Sequence, residues 1–372
     1  MGDSTGDSTG DSFSKFLTFS LHLLIQSLNR PFMKKLLFLF VLLSSQVIGQ
    51  TTLIPDANFE QALIDLGYDT GFPDGSVPTS NINTIDTLFI AFKSISDLTG
   101  IADFTALIRL NCGTNQLTSL DVSNNTSLNQ FFCSQNLLTS LDVSNNTALT
   151  VLSCSQNQLT SLDLSNNTAL TTVYFSTNLL TSLDVSNNTA LTYLSCWGNQ
   201  LTSLDVSNNT ALTELACSQN QLTSIDLSNN AALTTLYCGN NLLTSLDLNN
   251  NTAFTVLSCE QNQLTCLNVK NGNNVAITSF WALNNPSLNC IEVDDTTWST
   301  ANWANIDSQT SFSNNCGNPC SSITGIPELL VKDKQLLLIT DLLGRPTSQP
   351  LHNQVMFYRY SDGSVEKRII LE

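Results

Sequence analysis

Residues 149–169 read LTVLSCSQNQLTSLDLSNNTA, and the same pattern starts again at Leu170, 21 residues on. Asp121, Asp142, Asp163, Asp184, Asp205, Asp226 and Asp247 repeat at that interval. So do Asn115, Asn136, Asn157, Asn178, Asn199, Asn220, Asn241 and Asn262. A fixed short period over so many units marks a solenoid, in which each coil leaves its apolar face for a neighbour to cover. Leu152 and Cys154 are two apart and share one side of an extended strand, the core side. Leu149, Leu159, Leu162 and Leu164 point inward from the rest of the coil. Parallel pairing of each strand with the next, about 4.8 Å away, predicts one continuous sheet.

The pattern Leu-x-x-Leu-x-Cys-x-x-Asn-x-Leu resembles the leucine-rich-repeat signature, with Cys at its third apolar position. The resemblance implies an α/β-type repeat solenoid, a right-handed parallel β-solenoid of mostly 21-residue coils. Ten coils are expected, led by Ile85, Leu107, Leu128, Leu149, Leu170, Leu191, Leu212, Leu233, Phe254 and Ile277. In the first, Lys93 replaces the Asn; the last follows a short insertion between Lys270 and Asn274. A small helical cap is expected before them, with Asp56 as N-cap, apolar positions Phe59, Ala62, Leu63 and Leu66, and Gly67 as the stop. After the last coil, Trp298, Trp303, Ile306 and Phe312 supply apolar surface to close the open end.

The chain has 372 residues, of which only 12% are charged, yet its net charge is −17. That excludes nucleic acid as a partner, because a phosphate backbone needs clustered Lys and Arg, and disfavours an anionic membrane surface. Lys34 and Lys35 precede the apolar run Leu36 to Leu43, and Ser44, Ser45 and Gly49 follow. This order is that of a signal peptide cut after Gly49, and export would permit disulfides. The expected organisation is therefore an extension without function at 1–32, a signal at 33–49, an N-terminal cap at 50–84, repeats at 85–291, a C-terminal cap and linker at 292–325, and a separate β-unit at 326–372.

Seven cysteines, Cys112, Cys133, Cys154, Cys196, Cys217, Cys238 and Cys259, take the inward strand position, and Phe175 takes it in another coil. A Phe there shows that the slot wants apolar bulk, and stacked thiols lie side by side without the convergent geometry of a metal site. Cys266, Cys290, Cys316 and Cys320 remain. Cys266 could bridge laterally to Cys290, or Cys290 could tie down the cap through Cys316; spacing does not choose. Asn157 and its equivalents sit where the chain leaves the strand, where a buried amide can serve the unpaired groups of a turn. They are read as a structural ladder. The Asp121 row points outward, held either by contacts to the following Ser-Asn-Asn turn or by calcium between coils.

Strand positions flanking the inward residues face the concave side. They include Phe89, Phe92, Arg109, Phe132, Tyr174, Tyr193, Trp197, Glu214, Tyr237, Glu260 and Trp281, and they vary while the rest of the repeat is monotonous. Of these, Phe132, Tyr174, Tyr193, Trp197, Glu214, Tyr237 and Trp281 are the candidate ligand-binding residues. Tyr174, Tyr193 and Trp197 form the leading cluster, because exposed aromatics commonly anchor interfaces. His22 precedes the cut, leaving His352 outside the repeats, and no catalytic or phosphate-binding motif is present. No cofactor, no metal and no enzymatic activity are expected.

Residues 85–291 resemble short-coil, internalin-like bacterial leucine-rich repeats, and the segments at Leu53–Ile64 and Cys290–Asp307 resemble the caps of secreted Bacteroidetes members. In the tail, the strand-like runs Leu336–Thr340 and Met356–Tyr360, a turn at Ser361–Gly363, the stretch Asp341–Arg345 and the basic, apolar end Lys367–Leu371 look like a type IX secretion sorting domain. The resemblance implies a monomer released from or displayed on the cell surface, handled by secretion machinery and binding a protein or glycan. The competing expectation is a surface-layer or spacer protein with no specific ligand.

Overall fold

A computed structural model describes residues 49–317, Cys320 and, in the tail, 336–340, 345–347, 355–360 and 365–369. The expected extension and the signal, apart from Gly49, lie outside the described residues. Two units divide at Cys320 and Ser321.

In the first unit, ten strands form one parallel sheet: Thr87–Phe89, Arg109–Asn111, Gln130–Phe132, Val151–Ser153, Thr172–Tyr174, Tyr193–Ser195, Glu214–Ala216, Thr235–Tyr237, Val256–Ser258 and Ser279–Trp281. They belong to coils 1 to 10. The register is direct, as in Val151 to Thr172, Leu152 to Val173 and Ser153 to Tyr174. Each strand is three residues long, so its central side chain enters the core and the two outer ones face away. Leu152, Val173 and Leu194 are fully buried, as are the seven cysteines and Phe175.

Three columns of polar side chains close the backbone of one coil onto the next. Asn136 Oδ1 accepts from Leu117 N at 3.0 Å, while its Nδ2 donates to Cys112 O at 3.1 Å and Cys133 O at 3.0 Å. The pattern recurs along the Asn row; in coil 1 the backbone N–H groups of Lys93 and Ile95 donate to Asn115 Oδ1. A second column was not read from the sequence: Asn125, Asn146, Asn167, Asn188, Asn209, Asn230 and Asn251 are buried. Asn146 Nδ2, for example, donates to Val122 O at 3.0 Å and Asn125 O at 2.9 Å of the preceding coil. Thr hydroxyls form the third, Thr192 Oγ1 donating to Thr171 O at 3.1 Å and Thr213 Oγ1 to Thr192 O at 3.0 Å.

Several expectations need correction. A second parallel sheet joins Ser245–Asp247, Cys266–Asn268, Cys290–Glu292 and Ser311–Ser313, where a single sheet was expected. Its last strand belongs to an incomplete eleventh turn supplied by the cap, whose Asn305 O accepts from Ala282 N at 2.9 Å. Leu162, with Leu120 and Leu183, is only partly buried, because it sits at the edge of the coil next to the outward Asp. Leu66 is exposed, since the helix has already ended at Asp65.

The caps follow from local chemistry. Helix α1 (Ala57–Asp65) is capped by Asp56, whose Oδ1 accepts from Asn58 N and Phe59 N. Its other oxygen accepts from Ser96 N, Ser96 Oγ and Asp97 N, tying the helix to coil 1. Burial pushes the Asp56 carboxyl up, but these hydrogen bonds prevail and hold it below the usual range. Gly100, at φ +102°, brings the backbone so near the cap that a Cβ would lie 2.5 Å from Ile54 Cδ1. Helix α2 (Thr296–Asn302) precedes Trp303, which stacks on Phe280 with ring centroids 4.3 Å apart and donates from Nε1 to Ile277 O.

Cys290 pairs with Cys316 and Cys266 with Cys320. The lateral Cys266–Cys290 bridge does not form. Their strands are adjacent and parallel with Leu267 opposite Ile291, so the two Cβ vectors run side by side rather than converging.

In the second unit four antiparallel strands pair in the order Pro346–Thr347, Leu336–Thr340, Val355–Tyr360, Val365–Ile369. The expected turn at 361–363 lies outside the described residues.

Candidate binding face

The outer positions of the ten strands make one ribbed surface, and its composition changes along the stack. At the N-terminal end the Arg109 guanidinium lies between two rings, 5.0 Å from the Phe89 centroid and 5.4 Å from that of Phe132. Phe132 is thereby half-buried. Phe92, Trp197 and Glu260 do not sit on strands: Trp197 and Glu260 follow the inward cysteine past strands that end at Ser195 and Ser258, and Phe92 occupies the turn after its strand, at φ 60°. In the middle, Tyr174 and Tyr193 lie on neighbouring strands with centroids 4.7 Å apart. Burial pushes the Tyr193 phenol up, helped by the carboxylate of Glu214 on the next strand.

Trp197 was expected to cluster with the two tyrosines. The structure instead groups it with Tyr237 around a cavity of about 450 Å³ that also takes in Ser218, Gln219 and Glu260. Trp281 is exposed near the C-terminal end. The expected residues thus fall into three places along the face rather than one.

The turn after each strand holds a residue in the left-handed region: Thr114, Gln135, Gln156, Thr177, Gln219, Asn240, Gln261 and Asn284 have φ between 54° and 60°. Gly198 takes this position in coil 6. Sequence reading missed this row, although Gly at one position of a polar column was the available signal.

On another side of the coil, the Asp row meets its own repulsion with hydrogen bonds. Asp142 Oδ1 accepts from Ser144 N and Asp163 Oδ1 from Ser165 N, both at 2.9 Å. Backbone and hydroxyl donors of the following Ser hold both carboxyls below the usual range. Among the described residues, no three His, Cys, Asp or Glu side chains gather as a metal site would need. The buried thiols are driven the other way: burial pushes Cys112, Cys154 and Cys217 up to about 12, so at neutral pH they are protonated and unreactive.

A repeat-family model described as the LVIVD repeat matches residues 191–217, little more than one coil. No curated protein matches the sequence. Among solved structures, internalin C2 from Listeria monocytogenes is similar at 23% identity and a TM-score of 0.51, over 56% of this chain and 96% of that one. The functional domain of InlJ from Listeria monocytogenes, described as including a cysteine ladder, is 23% identical over 87% of this chain and 99% of that one, at a TM-score of 0.34. An internalin designated inlF from the same species is 20% identical over 70% and 95%, at 0.38. The likeness to internalin C2 agrees with the coil geometry: this chain has the leucine-rich-repeat fold.

Proposed function

We propose that the chain is an exported, non-enzymatic binding protein whose concave sheet face engages a protein or glycan outside the cell. One observation carries this reading: the repeat is nearly constant wherever side chains fill the core or close the backbone, and varies at the outward positions on either side of the inward residues, where it places exposed or half-exposed aromatics. Core packing does not require Trp197, Tyr237 or Trp281, each more than a third exposed. Large rigid side chains on a preformed surface give contact area at little entropic cost. The disulfides that fasten the C-terminal cap suit an oxidising compartment. The Lys34–Gly49 segment and the tail, read as export signals, complete the proposal. The chain works as a monomer, without metal or cofactor, and its acidity keeps nucleic acid away.

The competing reading is a spacer that binds nothing. The exported chain, displayed against protein and glycan arrays, distinguishes them. Binding that drops at least tenfold in the triple variant Tyr174→Ala, Tyr193→Ala, Trp197→Ala supports a concave ligand site. Failure to bind any array member favours the spacer.

A further inference from the structure

We propose that coils 6 to 9 form a slot for a neutral oligosaccharide, one pyranose ring held between Trp197 and Tyr237. This rests on reading the concave face as a binding face and names what one part of it takes. The repeat supplies its own control. The residue after the inward cysteine is Ser in coils 3, 4 and 7, as Ser134, Ser155 and Ser218, and Gly113 in coil 2; the corresponding residues in coils 6, 8 and 9 are Trp197, Gly239 and Glu260, the only stretch where an aromatic, a Gly and a carboxylate fall within four coils. Nothing in the core asks for these changes, because Cys196, Cys238 and Cys259 are buried just as their equivalents are.

The three departures fit one another. A Cβ on Gly239 would lie 2.8 Å from Glu260 Oε1, so the Glu260 carboxylate lies across that coil in space a side chain there would contest. Ser258 Oγ donates to Glu260 Oε2 at 2.6 Å and fixes it there. In coil 6 the left-handed position is Gly198, which removes from the rim beside Trp197 the long side chain that Gln156 and Gln219 carry. Trp197 and Tyr237 lie two coils apart and two residues out of register, since Tyr237 lines up with Ala216 and Ser195; that is about 10 Å across the strands and about 7 Å along them, with small residues between.

The lining also selects a chemistry. A pyranose offers apolar C–H faces to the two aromatic walls and hydroxyls around its edge. Gln219 and Asn240 present both donors and acceptors to those hydroxyls, and Glu260 presents acceptors. No Lys or Arg lines the cavity, and with a net charge of −17 the chain repels an acidic sugar.

The exported chain is titrated with cellotetraose, chitotetraose and tetragalacturonate, followed by calorimetry and by tryptophan fluorescence. A neutral tetramer binds with a Kd on the order of 1 mM or tighter and perturbs the fluorescence, while the acidic tetramer does not bind. Trp197→Ser and Gly239→Ser restore the residue the repeat carries elsewhere, so both variants fold; each weakens binding at least tenfold, and Tyr174→Ala does not. Absence of neutral-sugar binding at about 10 mM, or binding that Trp197→Ser leaves unchanged, overturns the slot. If the arrays then yield a different ligand lost in Tyr174→Ala, the concave binding reading stands without the slot. If they yield no ligand, both fail.

Discussion

Two asparagines ten residues apart in one coil should respond differently to the same truncation. Asn157 accepts from Leu138 N at 3.1 Å and donates to Cys133 O at 3.2 Å and Cys154 O at 3.0 Å. Asn157→Ala leaves one buried N–H orphaned, which costs about 1–3 kcal/mol, and removes two further bonds of about 1 kcal/mol each. The sum is about 3–5 kcal/mol. Asn167 also donates twice, to Val143 O at 2.9 Å and Asn146 O at 3.0 Å. Its buried Oδ1, however, has no protein partner. Asn167→Ala loses about 2 kcal/mol of donated bonds but removes an unpartnered acceptor whose burial costs about 1–3 kcal/mol, so the net change is near zero. Urea unfolding of both variants, compared by midpoint at constant slope, should place Asn157→Ala well below wild type and Asn167→Ala close to it. Asn166→Ala, at an exposed position of the same turn, is the surface control. Equal losses at the two buried positions, or a larger loss at Asn167, would refute this account of what the columns contribute.

Acid should weaken the stack. Asp121, Asp142, Asp163, Asp184 and Asp205 are all lowered by hydrogen bonds from the following Ser. Lowered native carboxyls bind fewer protons than the unfolded chain does, so their stabilisation is complete above the unfolded value of about 3.9 and disappears as pH falls through the native values. Thermal unfolding followed from neutral pH to about pH 2 should show a falling midpoint, and Ser165→Ala should shrink the fall; a flat profile counts against the Ser contacts. The two disulfides span sequence separations of 26 and 54 residues, worth about 3.5 and 4.2 kcal/mol on the chain-entropy model. Thiol titration should find seven reactive groups in the unreduced, denatured chain and eleven after reduction, with exchange protection of Trp303 lost on reduction while mid-stack amides stay protected.

Much of this fold is legible in the chain because solenoid geometry turns sequence spacing directly into position. Leu152 and Cys154 could be placed in the core from their separation alone, and Asp56 could be placed at a helix start. The second Asn column could not. Asn167 lies in Ser-Asn-Asn-Thr, a string whose polarity reads as solvent-facing turn, and only stacked coils show its amide reaching the preceding backbone. Disulfide partners depend on where the cap folds back, which no spacing within the repeats encodes. The outward aromatics were visible as departures from monotony. Their division into the Arg109 sandwich, the Tyr174–Tyr193 pair and the Trp197–Tyr237 cavity was not, because it depends on what neighbouring coils leave out, and Gly198 and Gly239 look like neutral variation in a string.

The stacking of coils into columns underlies every statement about core, ladder and face. A crystal structure of the chain, resolved well enough to orient side-chain amides, tests it most directly. Asn115 through Asn262 should form one line, adjacent members one strand spacing apart, with Cys112 through Cys259 in a second line buried behind the sheet. Amides scattered around the coil, or cysteines facing solvent, would contradict the account.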